Sequence, residues 1–119
     1  MIPEPGVTRH VLFICSRNRL RSPTAEQVFA DWPGIETASA GLANDADTPV
    51  TPELLAWADL IFVMENRHRG RLSSPFGRYL KGKRIICLDI PDDYEFMDPK
   101  LVELLRARVP RHLPSVNKE

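Results

Sequence analysis

The sequence predicts an α/β protein: a single three-layer domain over residues 1–119, in which a four-stranded parallel sheet carries helices on both faces. Three observations predict it. Short apolar runs alternate with amphipathic stretches in a βαβαβαβα order, the pattern of a parallel sheet joined by helical crossovers. The first run, His10–Cys15, is apolar almost without a break, as a strand covered on both faces requires. The chain has 119 residues, 43% of them hydrophobic, which suffices for one substantial core.

The elements follow in order. His10–Cys15 is the first strand. A helix runs from Ser22 to about Trp32, with Ser22 as its cap, Pro23 as its first helical residue, and Ala25, Val28 and Phe29 turned inward. Glu36–Ala40 is the second strand. Thr51-Pro52 opens a short helix through Leu54, Leu55 and Trp57. Leu60–Met64 is the third strand, followed by a basic helical stretch from about Asn66. Arg84–Leu88 is the fourth strand. Asp98 caps a last helix from Pro99 to about Val109, with Leu101, Leu104 and Leu105 as its apolar stripe. Residues 1–8 and 113–119 read as loose ends, and no repeat or linker interrupts the chain.

Composition narrows the function classes. The formal net charge is zero, so nothing pulls the whole chain toward nucleic acid or an acidic membrane. No apolar run is long enough to span a bilayer, and Met1-Ile2-Pro3-Glu4 does not begin a signal peptide. The two cysteines suit a reducing compartment, so a cytoplasmic location is expected. Cys87, within the apolar run Ile85–Leu88, reads as core packing. From Asn66 to Leu88 there are seven Lys or Arg residues (Arg67, Arg69, Arg71, Arg78, Lys81, Lys83, Arg84) and no carboxylate. This stretch reads as a solvated helix and turn, or as a docking surface for an acidic partner such as a phosphoprotein or RNA. No interleaved aromatics support binding of single-stranded nucleic acid.

The chemistry concentrates where the first strand ends. There Cys15 is followed by Ser16, Arg17, Asn18, Arg19, Leu20 and then Arg21-Ser22-Pro23. A loop of that length between a strand and a helix can turn successive N–H groups inward, forming an anion-binding nest at a helix N-terminus. A ring of N–H dipoles, a helix N-terminus and an arginine together favour the thiolate form of a cysteine, the nucleophilic one. An arginine can also donate two parallel hydrogen bonds to two oxygens of a tetrahedral anion. Ser22 is close enough in sequence to hydrogen-bond the cysteine sulfur. The loop therefore reads as a cradle that binds a phosphate-like oxyanion and attacks it, with inorganic phosphate or sulfate as simple occupants. No glycine-rich nucleotide loop with a Lys-Ser/Thr ending is present.

The run Val11-Leu12-Phe13-Ile14-Cys15, Asn18 and Arg21-Ser22-Pro23-Thr24-Ala25-Glu26 closely resembles the N-terminal signature of the low-molecular-weight protein tyrosine phosphatases. Ser39-Ala40-Gly41 resembles the end of that family's second strand, and Ala58 to Glu65 its third strand and the acidic turn after it. Asp89-Ile90-Pro91-Asp92-Asp93-Tyr94 resembles the loop that carries its general acid. The resemblance implies hydrolysis of phosphotyrosine, or a similar aryl phosphate monoester, through a cysteinyl-phosphate, with no cofactor and no metal. Cys15 would be the nucleophile and Arg21 the oxyanion clamp. Asp92 would be the acid and then the base, with Asp93 the next choice. Asn18 would brace the loop in a left-handed conformation, and Tyr94 would flank the substrate ring. Partners would be a phosphorylated protein or a small aryl phosphate, with no membrane.

The chain also departs from the family pattern. Arg17 stands where a glycine is usual, Leu20 where a second cysteine is common, and Asp93 where a proline follows the acid. Leu20 cannot form a disulfide with Cys15. Only 17 residues separate Gly41 from Asp59, where longer relatives insert about another helix and a histidine that supports the loop. On that ground the chain reads as a shortened member. Two other readings stay open. One is a non-enzymatic phosphate-binding or phosphoprotein-binding module on this fold. The other is a thiol-dependent arsenate reductase, which would need Cys87 as a resolving thiol.

Overall fold

The computed structural model describes residues 8–114. The chain forms β1 (Arg9–Cys15), α1 (Arg21–Val28), β2 (Ile35–Gly41), α2 (Pro52–Trp57), β3 (Leu60–Val63), α3 (Asn66–Phe76), β4 (Arg84–Cys87) and α4 (Pro99–Arg108), with short 3-10 turns at Gly77–Tyr79 and Pro110–His112. All four strands are parallel, in the order β2-β1-β3-β4. Successive β1 residues serve opposite cores. Val11, Phe13 and Cys15 join Ala25 and Phe29 of α1 and Leu101 and Leu105 of α4. Leu12 and Ile14 join Leu55 of α2 and Leu72 of α3. The expected four-stranded parallel sheet with helices on both faces is the observed one.

This order fixes where a ligand can bind. The connection after β1 leads to β2 on one side, and the connection after β2 crosses β1 to reach β3 on the other. The carboxyl end of β1 is thus the point where the winding reverses, the usual ligand crevice of such sheets. Cys15 is the last residue of β1 and opens onto that crevice.

Three expectations need correction. The first helix ends at Val28, not Trp32. The N–H of Ala30 bonds to Gln27 O, tightening the last turn, and Pro33 disfavours helical geometry at Trp32. Ser22 is not the cap of that helix. Leu20 occupies the capping position with no side-chain bond, and the Ser22 hydroxyl turns back toward the β1 terminus instead. The chain end is not loose at Leu113 and Pro114. Leu113 is buried in the α1/α4 core, and Trp32 Nε1 donates to Pro114 O at 3.3 Å. Residues 1–7 and 115–119, also expected to be loose, lie outside the described residues. Asp98 caps α4 as expected, its carboxylate accepting from Lys100 N at 2.9 Å.

One glycine is required by close approach. A Cβ on Gly41 would lie 2.7 Å from Ser16 O, 2.7 Å from Ala46 Cβ and 2.8 Å from the Arg17 carbonyl carbon. Two of these neighbours are backbone, so relief means moving the segment after Cys15. Gly41→Ala is expected to lower stability by about 1–3 kcal/mol in urea denaturation, the usual cost of overpacking. A variant as stable as the parent would show that this contact has slack.

Candidate active site

The segment after β1 curls around a sulfur. Cys15 Sγ is buried and lies 3.0 Å from Ser22 Oγ and 3.3 Å from the backbone N of Asn18, which donates to it. Asn18 has a φ of 58°, the left-handed conformation that asparagine tolerates. Its side-chain amide donates to Ser22 Oγ at 3.0 Å. Ser22 Oγ also donates toward Ala40 O at 3.4 Å; in its 3.0 Å contact with the sulfur either atom can supply the hydrogen, and only against a thiolate must Ser22 be the donor. The Asn18 N–H and the Ser22 hydroxyl thus both meet the sulfur.

The outside of the loop explains its inside. The carbonyls of Cys15, Ser16 and Arg17 accept from the N–H groups of Leu42, Ala43 and Asp47 at 3.1, 2.8 and 3.0 Å. In a planar trans peptide the N–H points opposite to the C=O. Anchoring these three carbonyls outward therefore turns the N–H groups of residues 16, 17 and 18 inward, making an anion nest. The short β2–α2 connection does this anchoring. The brevity that reads in the sequence as a missing wall leaves a segment packed directly on the loop. Arg17 and Arg19 belong to the same clasp, pairing with Asp45 at 3.4 Å and Asp47 at 3.2 Å. Their charges are balanced locally.

Arg21 is the largest fully buried side chain, and its guanidinium is held from three directions. Nη1 donates to Ile90 O at 2.7 Å and lies 3.5 Å from Glu65 Oε2, while Nε lies 3.7 Å from Asp92 Oδ1. A buried cation needs such compensation. Burial works to raise the Glu65 carboxyl, but the Arg67 hydrogen bond and the charges of Arg21 and Arg67 outweigh it and hold it below the usual carboxylate range. Glu65 therefore stays ionised beside Arg21.

A histidine that sequence reading passes over completes the support. His68 is wholly buried; its Nδ1 accepts from Glu65 N at 3.1 Å, which leaves the ring proton on Nε2 to donate to Ser16 Oγ at 3.1 Å. Burial, with the charges of Arg21 and Arg67, lowers its pKa from 6.5 to about 4 against the opposing pull of Glu65. His68 is thus a neutral brace between the β3–α3 turn and the residue beside Cys15. Its signal was in the sequence, as the Glu65-x-x-His68 start of a helix, but hidden among seven basic residues. Four of those are engaged: Arg67 with Glu65, Arg69 with Ile85 O, Lys83 with Ala56 O and Ala58 O, and Arg78 over the Tyr79 ring.

The cleft above the sulfur has a volume of about 250 Å³ and is lined by Cys15, Ser16, Arg17, Arg19, Leu20, Arg21 and Asp92. Asp92 reaches it and Asp93 does not. Asn18 and Ser22 are buried behind the loop, against the sulfur. Tyr94 is not brought to the cleft; its ring is half-buried against the α1/α4 core, so the expected aromatic flank is absent from the lining. Cys87 is half-buried at the end of β4, with Asp89 Oδ1 3.6 Å from its sulfur, and burial pushes its thiol up.

This geometry defines a class: a parallel α/β protein whose first loop is an oxyanion cradle with a cysteine at its floor. No family model matches the chain. A protein-arginine-phosphatase of Bacillus subtilis (strain 168) is 30% identical to it, over 58% of this chain and 64% of its own length. The chain thus spans less than two thirds of that relative. The tyrosine phosphatase Wzb from Escherichia coli K30, solved in complex with phosphate, superposes with a TM-score of 0.71 at 25% identity, covering 88% of this chain and 96% of Wzb. A low-molecular-weight protein tyrosine phosphatase from Streptococcus pyogenes shares the fold with a TM-score of 0.72 at 15% identity, over 90% of this chain and 95% of its own. The chain thus shares the fold of the low-molecular-weight protein tyrosine phosphatases and is similar in sequence to a protein-arginine-phosphatase.

The histidine brace has a pH signature. As the pH falls from 6.5 toward about 4, unfolded His68 takes up a proton that the folded site refuses, so stability declines through that window. His68→Gln removes this titration. Its stability slope over the window is expected to be shallower than the parent's by up to about 1.4 kcal/mol per pH unit. Equal slopes would mean that His68 titrates normally in the folded protein.

Proposed function

We propose that this protein is a cysteine-dependent phosphatase that cleaves phosphotyrosine or a similar aryl phosphate monoester through a cysteinyl-phosphate. The observation that carries the reading is the buried Cys15 sulfur, met by the Asn18 N–H and the Ser22 hydroxyl, at the floor of a cleft that Arg21 and Asp92 also line. In the first step the Cys15 thiolate attacks phosphorus in line. The bond from phosphorus to the leaving oxygen breaks as a proton passes from Asp92 to that oxygen. The inward N–H groups and Arg21 stabilise the charge on the equatorial oxygens. In the second step the Asp92 carboxylate takes a proton from water, the resulting hydroxide attacks phosphorus, and the S–P bond breaks. Inorganic phosphate and the Cys15 thiolate are the products.

A second substrate reading is phosphoarginine. It is supported by the similarity to a protein-arginine-phosphatase and by a cleft lining without an aromatic side chain. The substrate class is decided by turnover of phosphotyrosyl and phosphoarginyl peptides of matched sequence.

The reaction class is tested by substitution. Cys15→Ser is expected to abolish turnover of para-nitrophenyl phosphate. Asp92→Asn is expected to lower kcat about 10²–10⁴-fold, the range for losing a general acid, with a larger loss on poorer leaving groups. Unchanged turnover in Cys15→Ser would exclude the mechanism. Phosphate binding with no turnover by the parent would make the protein a binding module on this fold.

A further inference from the structure

Beside the cleft lies a second surface that the chemistry above does not use. Among the described residues the exposed large hydrophobic side chains are Leu20, Phe96 and Met97, at 37%, 51% and 39% exposure. They belong to two segments that flank the cleft: Leu20 to the cysteine loop, Phe96 and Met97 to the stretch after Asp92. Such a grouping on an otherwise polar surface marks an interaction site. Two hydrogen bonds fix it. Met97, at a φ of 61°, donates its N–H to Thr24 Oγ1 at 2.9 Å, and the Thr24 hydroxyl donates to Leu20 O at 2.6 Å. Phe96 is thereby held against the first turn of α1.

From there a groove of about 550 Å³ runs between α1 and β2, lined by Pro23, Glu26, Ala30, Ile35, Glu36 and Phe96 among others. Pro23, which lines the groove, lies three residues beyond Leu20, which lines the cleft; from there the groove follows β2 back to Glu36, five positions before the Gly41 that pairs with Cys15. Its lining carries two carboxylates and no Lys or Arg. Ser39 Oγ donates to Glu26 Oε1 and orients it, and Glu36 is exposed, with His10 Nε2 3.8 Å from its Oε1. β2 is an edge strand, which an extended chain can follow.

We propose that this groove seats the polypeptide bearing the phosphorylated residue, as an extended segment with an apolar side chain beside that residue and basic side chains beyond it. This deepens the phosphatase reading and rests on it. Apolar contact with Phe96 anchors the segment, Glu26 and Glu36 select its charge, and the cleft receives the phosphoryl group. Phe96 and Glu36 then determine specificity and take no part in the chemistry. The substrate is a protein, with small aryl phosphates using the cleft alone.

The experiment compares para-nitrophenyl phosphate with a peptide carrying leucine beside the phosphorylated residue and lysines beyond it. The peptide is phosphorylated on tyrosine or arginine, whichever the parent cleaves faster. Phe96→Ser is expected to lower kcat/KM on the peptide about tenfold, as loss of a half-buried aromatic contact implies, and to leave para-nitrophenyl phosphate unchanged. Glu36→Lys is expected to lower kcat/KM on the lysine peptide several-fold and to spare a version with alanines in place of the lysines. Equal losses on both substrates, or no loss on the peptide, would overturn the proposal. If the parent cleaves neither substrate, the catalytic reading fails by itself. Calorimetric titration of the phosphopeptide into Cys15→Ser then decides the groove: weaker binding after adding Phe96→Ser supports it, and equal binding overturns it.

Discussion

A cysteine that is 3% exposed, its sulfur met by the Asn18 N–H and the Ser22 hydroxyl, is the constraint on which the rest of this molecule depends. A thiolate there is tolerable only if donors replace the water it has lost, and the backbone must supply them without collapsing into the cavity. The chain achieves this by anchoring the loop from outside. Three carbonyls are tied to the segment after β2, Ser16 is tied to His68, and the turn at Asn18 takes a left-handed conformation. Gly41 admits the outer segment at a distance no Cβ would allow. The inward N–H groups are the consequence of these outward bonds.

The same economy governs charge. Arg21 serves an anion only if it is buried and directed, and a buried guanidinium with no counter-charge would destabilise the fold. Glu65 and Ile90 O hold it in place without filling the cleft, and Asp92, more exposed, approaches from the solvent side. The loop arginines Arg17 and Arg19 are balanced by Asp45 and Asp47, exposed pairs that are weak individually and shape the rim more than they stabilise it. His68 adds no charge near the sulfur because burial and two arginines keep it neutral.

Much of this was legible in the sequence, for identifiable reasons. The strands were legible because parallel strands buried on both faces read as apolar runs, and the helix starts at Thr51-Pro52 and Asp98-Pro99 because caps and prolines are local. The pairing of Cys15 with Ser22 was legible because they lie within one loop, and the left-handed Asn18 because the family resemblance implied it. What lay hidden depends on distant partners. Ser22 looked like a cap until the sulfur claimed its hydroxyl. His68 looked like one more basic surface residue, because nothing local reveals that it faces Ser16, 52 positions away. Tyr94 followed the family pattern, yet its ring went to the core. The segment of residues 42–48 could be read as short, but not as the clasp that shapes the loop.

The central claim is that Cys15 carries the phosphoryl group between the two steps. It is tested most directly by quenching Asp92→Asn in acid during turnover of para-nitrophenyl phosphate and locating phosphate on the protein by peptide mass spectrometry. The account predicts phosphorylated Cys15 in the quenched protein and none after Cys15→Ser. Turnover with phosphate on another residue, or with no phosphorylated intermediate at any quench time, would contradict it.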